Sequence, residues 1–259
     1  MSGPIDYVKD GHIATIRMNR PEAMNAINIS MIEQFDAVLT EAAADHDVRV
    51  LILTGVGKAF CVGADIKELK GWESDASLRE RFYALAPSMF RKLEEFRTPV
   101  IAAVNGIAVA GGFELCCYAD IVIAAEDAKM GDGHANFVGF GPASAALAPY
   151  LMSRKKAAEL LFTGDIWTAA DLADAGFVNR VVPSDQLETT VRKMAEKIAS
   201  KQPIALAAAK ALMRRAGSVD NSLLLSHAFE SAQRIFTTQD FAEGLKAFEE
   251  KRPPVFKGR

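Results

Sequence analysis

Short apolar runs alternate with longer amphipathic stretches in the first half of the chain. Three of these runs are almost wholly apolar: Val48–Thr54, Pro99–Val104 and Ile121–Ala125. Such runs are typical of strands in a sheet that is covered on both faces. The stretch Ser77–Phe96, between the first two, has the length and pattern of a helix. This alternation of strand, helix and strand predicts an α/β fold with parallel strand pairing.

The N-terminal residues predict a hairpin followed by a helix. Ile5–Val8 and His12–Met18 have the pattern of two strands joined by a short turn that contains glycine. A helical pattern follows over Met31–Ala44, with Ser30 before it and Glu33 three residues after that serine. This spacing is that of a capping box, so we expect Ser30 to be the N-cap of the helix.

The pattern changes near Ser184, after which helical stretches follow one another without a strand pattern between them. A break at Gln202-Pro203 divides this part of the chain. We therefore expect an α/β core over residues 1–200 and a C-terminal helical region over residues 201–259. The predicted helices are Ser184–Ser200, Ile204–Arg215, Ser222–Phe236 and Gln239–Lys251.

The segment Ile101–Asp120 carries the strongest chemical signal. It begins as an apolar strand, continues through small residues to Gly111-Gly112, and then has Glu114 at the start of a predicted helix. Glycines allow a ligand to approach the backbone, and the free N–H groups of a helix start favour negative charge. An oxyanion that develops on a bound carbonyl would suit this place, with Glu114 beside it as acid or base. Alternatively, Glu114 is only an acid that interacts favourably with the helix dipole.

A second loop marked by glycine follows the strand Val48–Thr54. Its sequence Gly63-Ala64-Asp65 precedes a predicted helix, and the N–H of Ala64 could form an oxyanion hole together with that of Gly111. Taken alone, either loop could be a structural turn. Small residues in both loops, where a ligand would have to approach, favour a functional site.

His134 lies in the short segment Met130–Asn136, close to Asp132, which has a glycine on each side. Most isolated histidines are structural or exposed, and that alternative stays open for this one. The neighbouring Asp132 could instead orient the imidazole ring for acid–base chemistry.

Composition and charge narrow the choice of function. The 259 residues are 50% hydrophobic and 24% charged, as in an ordinary globular protein, and the net charge of −3 without a basic block disfavours nucleic acid as a partner. No apolar run is long enough to cross a membrane, so a membrane is not expected as a partner. Three cysteines without CxxC spacing and a first segment unlike a signal peptide predict reduced thiols and a cytoplasmic location. The four histidines lack the spacing of metal ligands, so no metal is expected.

Ordered motifs along nearly the whole chain make the sequence similar to the crotonase (enoyl-CoA hydratase/isomerase) superfamily. The resemblance implies a spiral of ββα units with a C-terminal helical region, assembled as a homotrimer or a hexamer. It also implies an acyl-CoA thioester as substrate and no other cofactor. The motifs that carry it lie at Asn19–Ala26, Ala59–Ile66, Pro99–Gly106, Ala110–Glu114, Leu161–Asp165, Ala175–Val178 and Asp240–Arg252.

The resemblance also implies roles for individual residues. Ala64 and Gly111 match the positions whose N–H groups hold the thioester oxygen. Residues expected to bind the substrate are Ala23, Met24, Ala26, Asp65 and Ile66, around the adenine and pantetheine of CoA, and Gly112. Many relatives have a lysine where this chain has Glu22.

The hydratases of this superfamily use two glutamates, and the chain keeps one of them. Glu114 matches the first, whereas His134 stands at the position of the second. Hydration of a 2-enoyl-CoA is the leading hypothesis, because glutamate and histidine can both act as acid or base. The histidine leaves open an isomerase, or a carbon–carbon hydrolase or decarboxylase acting on a β-keto or cyclic acyl-CoA. The segment Phe137–Ser144 lacks the additional acid of such hydrolases, which weakens that alternative.

Overall fold

The fold consists of two sheets linked by repeated strand–strand–helix units. The computed structural model describes residues 3–71, 75–136, 141–215, 238–252 and 254–259. A hairpin of β1 (Ile5–Asp10) and β2 (Ile13–Met18) opens the chain, and α1 (Ile29–Ala44) follows it. The predicted hairpin and helix are therefore confirmed, but Ser30 is not the N-cap. The N-cap is Asn28, whose side chain accepts from the N–H of Met31 at 2.9 Å.

Three successive units then share one plan, in which a strand of the large sheet is followed by a short strand of a second sheet and by helix. The first unit is β3 (Val50–Gly55), β4 (Ala59–Cys61), α2 (Ile66–Gly71) and α3 (Ala76–Glu95). The second is β5 (Val100–Val104), β6 (Ile107–Val109) and α4 (Gly111–Tyr118). The third is β7 (Ile121–Ala125), β8 (Lys129–Gly131), α5 (Pro142–Leu151) and α6 (Arg154–Thr163). This repetition is the expected spiral of ββα units.

The remaining elements complete the sheets and cover them. They are β9 (Trp167–Thr168), α7 (Ala169–Asp174), β10 (Arg180–Val182), α8 (Leu187–Ala199), α9 (Pro203–Arg215) and α10 (Gln239–Glu249). The larger sheet has the order β1-β2-β3-β5-β7-β10 and is parallel except for the first pair. The smaller sheet has the order β4-β6-β8-β9. The α/β class and the parallel pairing are confirmed, whereas the predicted helix Ser222–Phe236 lies outside the described residues.

Every residue of β5 is buried, because sheet and helices cover both of its faces. The C-terminal region is fastened to this core by polar contacts. The ammonium group of Lys210 on α9 donates to the carbonyl of Thr98 at 2.8 Å and pairs with Asp120 at 2.7 Å. The core thus fixes the adjacent ends of β4, β6 and β8, where the candidate site lies.

Candidate active site

Ala64 presents its backbone N–H at a parallel β-bridge with Ile27. The N–H of Ile27 donates to the carbonyl of Gly63 at 2.7 Å, and that of Asp65 donates to the carbonyl of Ile27 at 2.8 Å. In such a bridge the residues on either side of Ala64 make the bonds, so its own N–H points away from Ile27. Within the described part of the chain, this N–H has no hydrogen-bond acceptor.

A second N–H without an acceptor among the described residues belongs to Gly111, the first residue of α4, whose N–H cannot bond within the helix. The residue before it, Ala110, has a φ of 51° and donates its N–H to the carbonyl of Gly131 at 3.1 Å. A Cβ atom on Gly63, where φ is +86°, would lie 3.0 Å from the nitrogen of Gly111. The amides of Ala64 and Gly111 are therefore neighbours, an arrangement that suits an oxyanion.

Gly112 brings α4 close to β4. A Cβ atom at this position would lie 2.7 Å from the carbonyl carbon of Cys61 and closer still to its oxygen. Glycine is therefore required here for packing of helix against strand, whether or not Gly112 also contacts a ligand.

Glu114 lies in the first turn of α4 and is only 5% exposed. Its Oε1 atom accepts from the N–H of Ala143 at 2.8 Å and from the N–H of Ser144 at 3.3 Å. Burial raises the pKa of Glu114, against the opposing effects of His134 and of the two N–H donors. The carboxyl group of Glu114 is therefore buried, and it holds its proton more tightly than an exposed glutamate would.

Asp132 holds the ring of His134. One carboxylate oxygen, Oδ1, lies 3.0 Å from the backbone nitrogen of His134 and 3.0 Å from its Nδ1, while Oδ2 accepts from the hydroxyl of Ser144. Burial lowers the pKa of His134, but the hydrogen bond and charge of Asp132 and the charge of Glu114 outweigh it, so the pKa is raised. The ring is therefore both oriented and favoured in its charged form.

Gly141 closes this cluster. A Cβ atom on Gly141 would lie 2.6 Å from Nδ1 of His134 and from Oγ of Ser144, and closer still to Oδ2 of Asp132. The three polar groups can meet only because residue 141 has no side chain.

Five of the six predicted substrate-binding residues lie on two segments that are joined to each other, and the sixth, Gly112, lies on α4. Arg20 pairs with Asp65 at 2.8 Å and also donates to the carbonyl of Ala26. Met24 and Ile66 are 48% and 67% exposed despite their large apolar side chains. Ala23 ends a short 3-10 helix, Pro21–Ala23, on the same segment as Met24, and Ala26 is buried.

Sequence reasoning missed several residues of this arrangement. Ser144 and Ala143 belong to the segment Phe137–Ser144, whose lack of an acid drew attention away from them, although Gly141-Pro142 is a common signal for the start of a helix. Arg20 gave no signal, because its partner Asp65 is 45 positions away in the sequence.

Two further properties concern the described residues alone. They contain no group of three or more histidine, cysteine, aspartate and glutamate side chains placed to bind a metal ion. None of their helices combines the length and apolar character needed to cross a bilayer.

Comparison with known proteins gives one consistent family. The chain is 37% identical to a probable enoyl-CoA hydratase of Mycobacterium tuberculosis, over 97% of this chain and 96% of that protein. It is 36% identical to the short-chain-enoyl-CoA hydratase of Clostridium acetobutylicum, over 94% of each chain. The crystal structure of an enoyl-CoA hydratase from Bacillus anthracis superposes with a TM-score of 0.95 at 35% identity, over 99% of this chain and 100% of that chain. Residues 9–259 match the enoyl-CoA hydratase/isomerase family, and the chain belongs to that family.

Proposed function

We propose that this enzyme adds water to the double bond of a 2-enoyl-CoA and forms a 3-hydroxyacyl-CoA. The observation that carries the proposal is the buried carboxyl group of Glu114. It lies on α4, three residues after Gly111, whose N–H is next to that of Ala64. An acyl-CoA thioester is the substrate class of the family. The N–H groups of Ala64 and Gly111 would hold its carbonyl oxygen, where negative charge develops as the β-carbon is attacked.

Two side chains would share the proton transfers. Glu114 is the main acid–base group, which takes a proton from the water that bonds to the β-carbon. His134 handles the second proton, which goes to the α-carbon, or positions the water. The raised pKa of His134 supports a proton-donating role, because an imidazolium is a better donor than a neutral ring.

The substrate would lie along the segments joined by Arg20. Ala23, Met24 and Ala26, with Asp65, Ile66 and Gly112, are proposed to surround CoA; the exposed apolar side chains of Met24 and Ile66 support this placement. Both oxygens of Asp65 have partners, the guanidinium of Arg20 and the N–H of Lys67 at 3.0 Å. Asp65 would therefore shape the site rather than accept a hydrogen bond from the ligand.

We also propose a cytoplasmic homotrimer or hexamer, with a core over residues 1–200 and a helical region over residues 201–259. Three buried cysteines without a disulfide fit a reducing compartment. Size-exclusion chromatography with light scattering tests the assembly.

The test is to incubate the purified protein with crotonyl-CoA, to follow the loss of enoyl absorbance, and to identify the product by mass. Formation of 3-hydroxybutyryl-CoA supports the proposal, and a positional isomer with unchanged mass indicates an isomerase instead. The variant His134→Glu, assayed in parallel, restores the family's second glutamate. Activity in this variant alone would overturn the proposal for the natural protein, because the binding site would be intact while its own reaction is different.

The contact between Asp132 and His134 favours a second candidate, hydrolysis of a carbon–carbon bond or decarboxylation in a β-keto or cyclic acyl-CoA. A histidine oriented by a carboxylate is a common base for activating water. Acetoacetyl-CoA and cyclic β-keto acyl-CoA substrates test the hydrolysis, with release of an acid or opening of the ring as the readout. An acyl-CoA that carries a β-carboxyl group tests the decarboxylation, with release of carbon dioxide as the readout.

A further inference from the structure

Ser144 contacts both acidic side chains of the site. It is the third residue of α5 and is fully buried. Its backbone N–H donates to Oε1 of Glu114 at 3.3 Å, and its hydroxyl donates to Oδ2 of Asp132. One residue on one helix turn therefore joins the two halves of the acid–base pair.

The Asp132 carboxylate has no remaining freedom to rotate. The side chain is 1% exposed, and its two oxygens have different partners, His134 on Oδ1 and Ser144 on Oδ2. Without the hydroxyl of Ser144, Oδ2 would be a buried acceptor that has lost its partner, which is unfavourable for a charged group. The carboxylate would then turn towards other donors, and the ring that depends on it would lose its fixed orientation.

We propose that Ser144 is a positioning residue for catalysis, which holds Glu114 through its backbone and His134 through Asp132. This inference rests on the proposed hydration. Because Nδ1 of His134 is occupied by Asp132, Nε2 is the nitrogen that can face a substrate. Because Oε1 of Glu114 is occupied by the two N–H groups of α5, Oε2 is the oxygen that can exchange a proton. The start of α5 thus selects the reacting atom of each residue.

Among the residues that the structure describes, few charged groups lie around His134. Asp132 and Glu114 act on it directly. The thiol of Cys117 faces the same carboxylates, and burial raises its pKa well above the ordinary value, so it is neutral. α5 carries no charged side chain. On and just after α6, which packs against the 3-10 turn of His134, the charged residues are all exposed: Arg154, Lys155, Lys156, Glu159 and Asp165.

The test is a double-mutant cycle of Ser144→Ala and Asp132→Asn, with kcat and KM for crotonyl-CoA as readouts. Ser144→Ala is expected to lower kcat by about tenfold or more with little change in KM, since a positioned acid or base contributes about 10²–10⁴-fold and only its orientation is loosened. In the Asp132→Asn background the same change should have much less effect, because the charge through which Ser144 acts is absent. Equal losses in both backgrounds would overturn the proposal.

A substrate-free readout separates this inference from the proposed function. The midpoint of His134 titration, followed by NMR, should shift in Ser144→Ala and stay unchanged when Ser144→Ala is added to Asp132→Asn. If the natural protein leaves crotonyl-CoA unchanged but the cycle shows this coupling, the hydration proposal fails and the positioning role stands. A His134 midpoint that Ser144→Ala does not move would refute the positioning role.

Ser153→Ala is the matched control, because Ser153 caps the next helix, α6, through the N–H of Lys156 and contacts neither acidic side chain. It should leave kcat and the His134 midpoint unchanged. If Ser144→Ala folds poorly, Ser144→Cys keeps nearly the same shape and offers only a weak donor. In the protein that keeps Asp132, Ser144→Cys should lower kcat as much as Ser144→Ala does. A kcat equal to that of the natural protein would count against the proposal.

Discussion

Replacing Gly141 by alanine would place a methyl group among three polar side chains. The new Cβ would lie 2.6 Å from Nδ1 of His134 and from Oγ of Ser144, against 3.4 Å or more for ordinary van der Waals contact. Each atom would have to move by about 0.8 Å, while Pro142 limits movement of the backbone. Since Nδ1 and Oδ1 of Asp132 are 3.0 Å apart, a shift of that size in the wrong direction ends their hydrogen bond.

The expected result is a loss of both stability and turnover. Overpacking of a filled site costs about 1–3 kcal/mol of unfolding free energy. Misplacing the acid–base pair should lower kcat for crotonyl-CoA by about 100-fold or more. Urea denaturation and steady-state kinetics measure the two effects, and the His134 titration by NMR gives a readout without substrate.

Gly244→Ala is the matched control for this prediction. Gly244 lies inside α10, and a Cβ there would be 3.7 Å from the ring of Phe256, an ordinary contact. This change should stabilise the protein by about 0.5–1 kcal/mol through helix propensity and leave kcat unchanged. If Gly141→Ala behaved like Gly244→Ala in both assays, the close-packed arrangement around Asp132 would be refuted.

Three further predictions follow from the same site. Glu114→Gln should lower kcat by about 10²–10⁴-fold with little change in KM, and near-normal turnover would rule out a proton-transfer role. Asp132 and Glu114 raise the pKa of His134 above 6.5, so its charged form should stabilise the fold fully below pH 6.5. That contribution should be lost as pH rises through the raised pKa. Urea denaturation over this range should therefore show the free energy of unfolding falling with pH in the natural protein but not in His134→Gln. Arg20→Met should raise KM for crotonyl-CoA by about tenfold, or about 1.4 kcal/mol; an unchanged KM would separate Arg20 from substrate binding.

The parts of the fold that sequence predicted are those with local signals. The strand Ile121–Ala125 was placed at its observed bounds, because a run of apolar residues limited by polar ones marks both ends of a buried strand. The apolar pattern alone does not predict the second sheet, since β4, β6 and β8 have three residues each, too few to show a period. The second strand of each unit was implied only by the resemblance to the crotonase superfamily. The wrong N-cap has a different cause: asparagine and serine favour the N-cap about equally, so the sequence does not decide between Asn28 and Ser30. Glu33, expected in the capping box, instead pairs with Arg81 on α3.

The candidate site divides in the same way. Glu114 and His134 could be found because each lies in a segment whose glycines and small residues are unusual by themselves. The link between them could not, because Ser144 acts through one N–H and one hydroxyl, and serine at the third position of a helix is common. Its importance arises only when α5 is packed against α4, 30 residues away from Glu114 in the sequence.

The bridge between Ile27 and Ala64 has a consequence for how substrate size affects the reaction rate. The segment proposed to contact the nucleotide end of CoA is hydrogen-bonded, through Ile27, to the residues on either side of Ala64, whose N–H is proposed to hold the thioester oxygen. Binding of the nucleotide, which is distant from the reacting bond, can therefore align the amide that would face the reacting carbonyl. A truncated thioester that lacks the nucleotide should then turn over more slowly even at saturation, because remote binding energy is used for orientation at the reacting bond. In this molecule, the segment proposed to bind CoA and the amide proposed to face the reacting carbonyl would therefore move together.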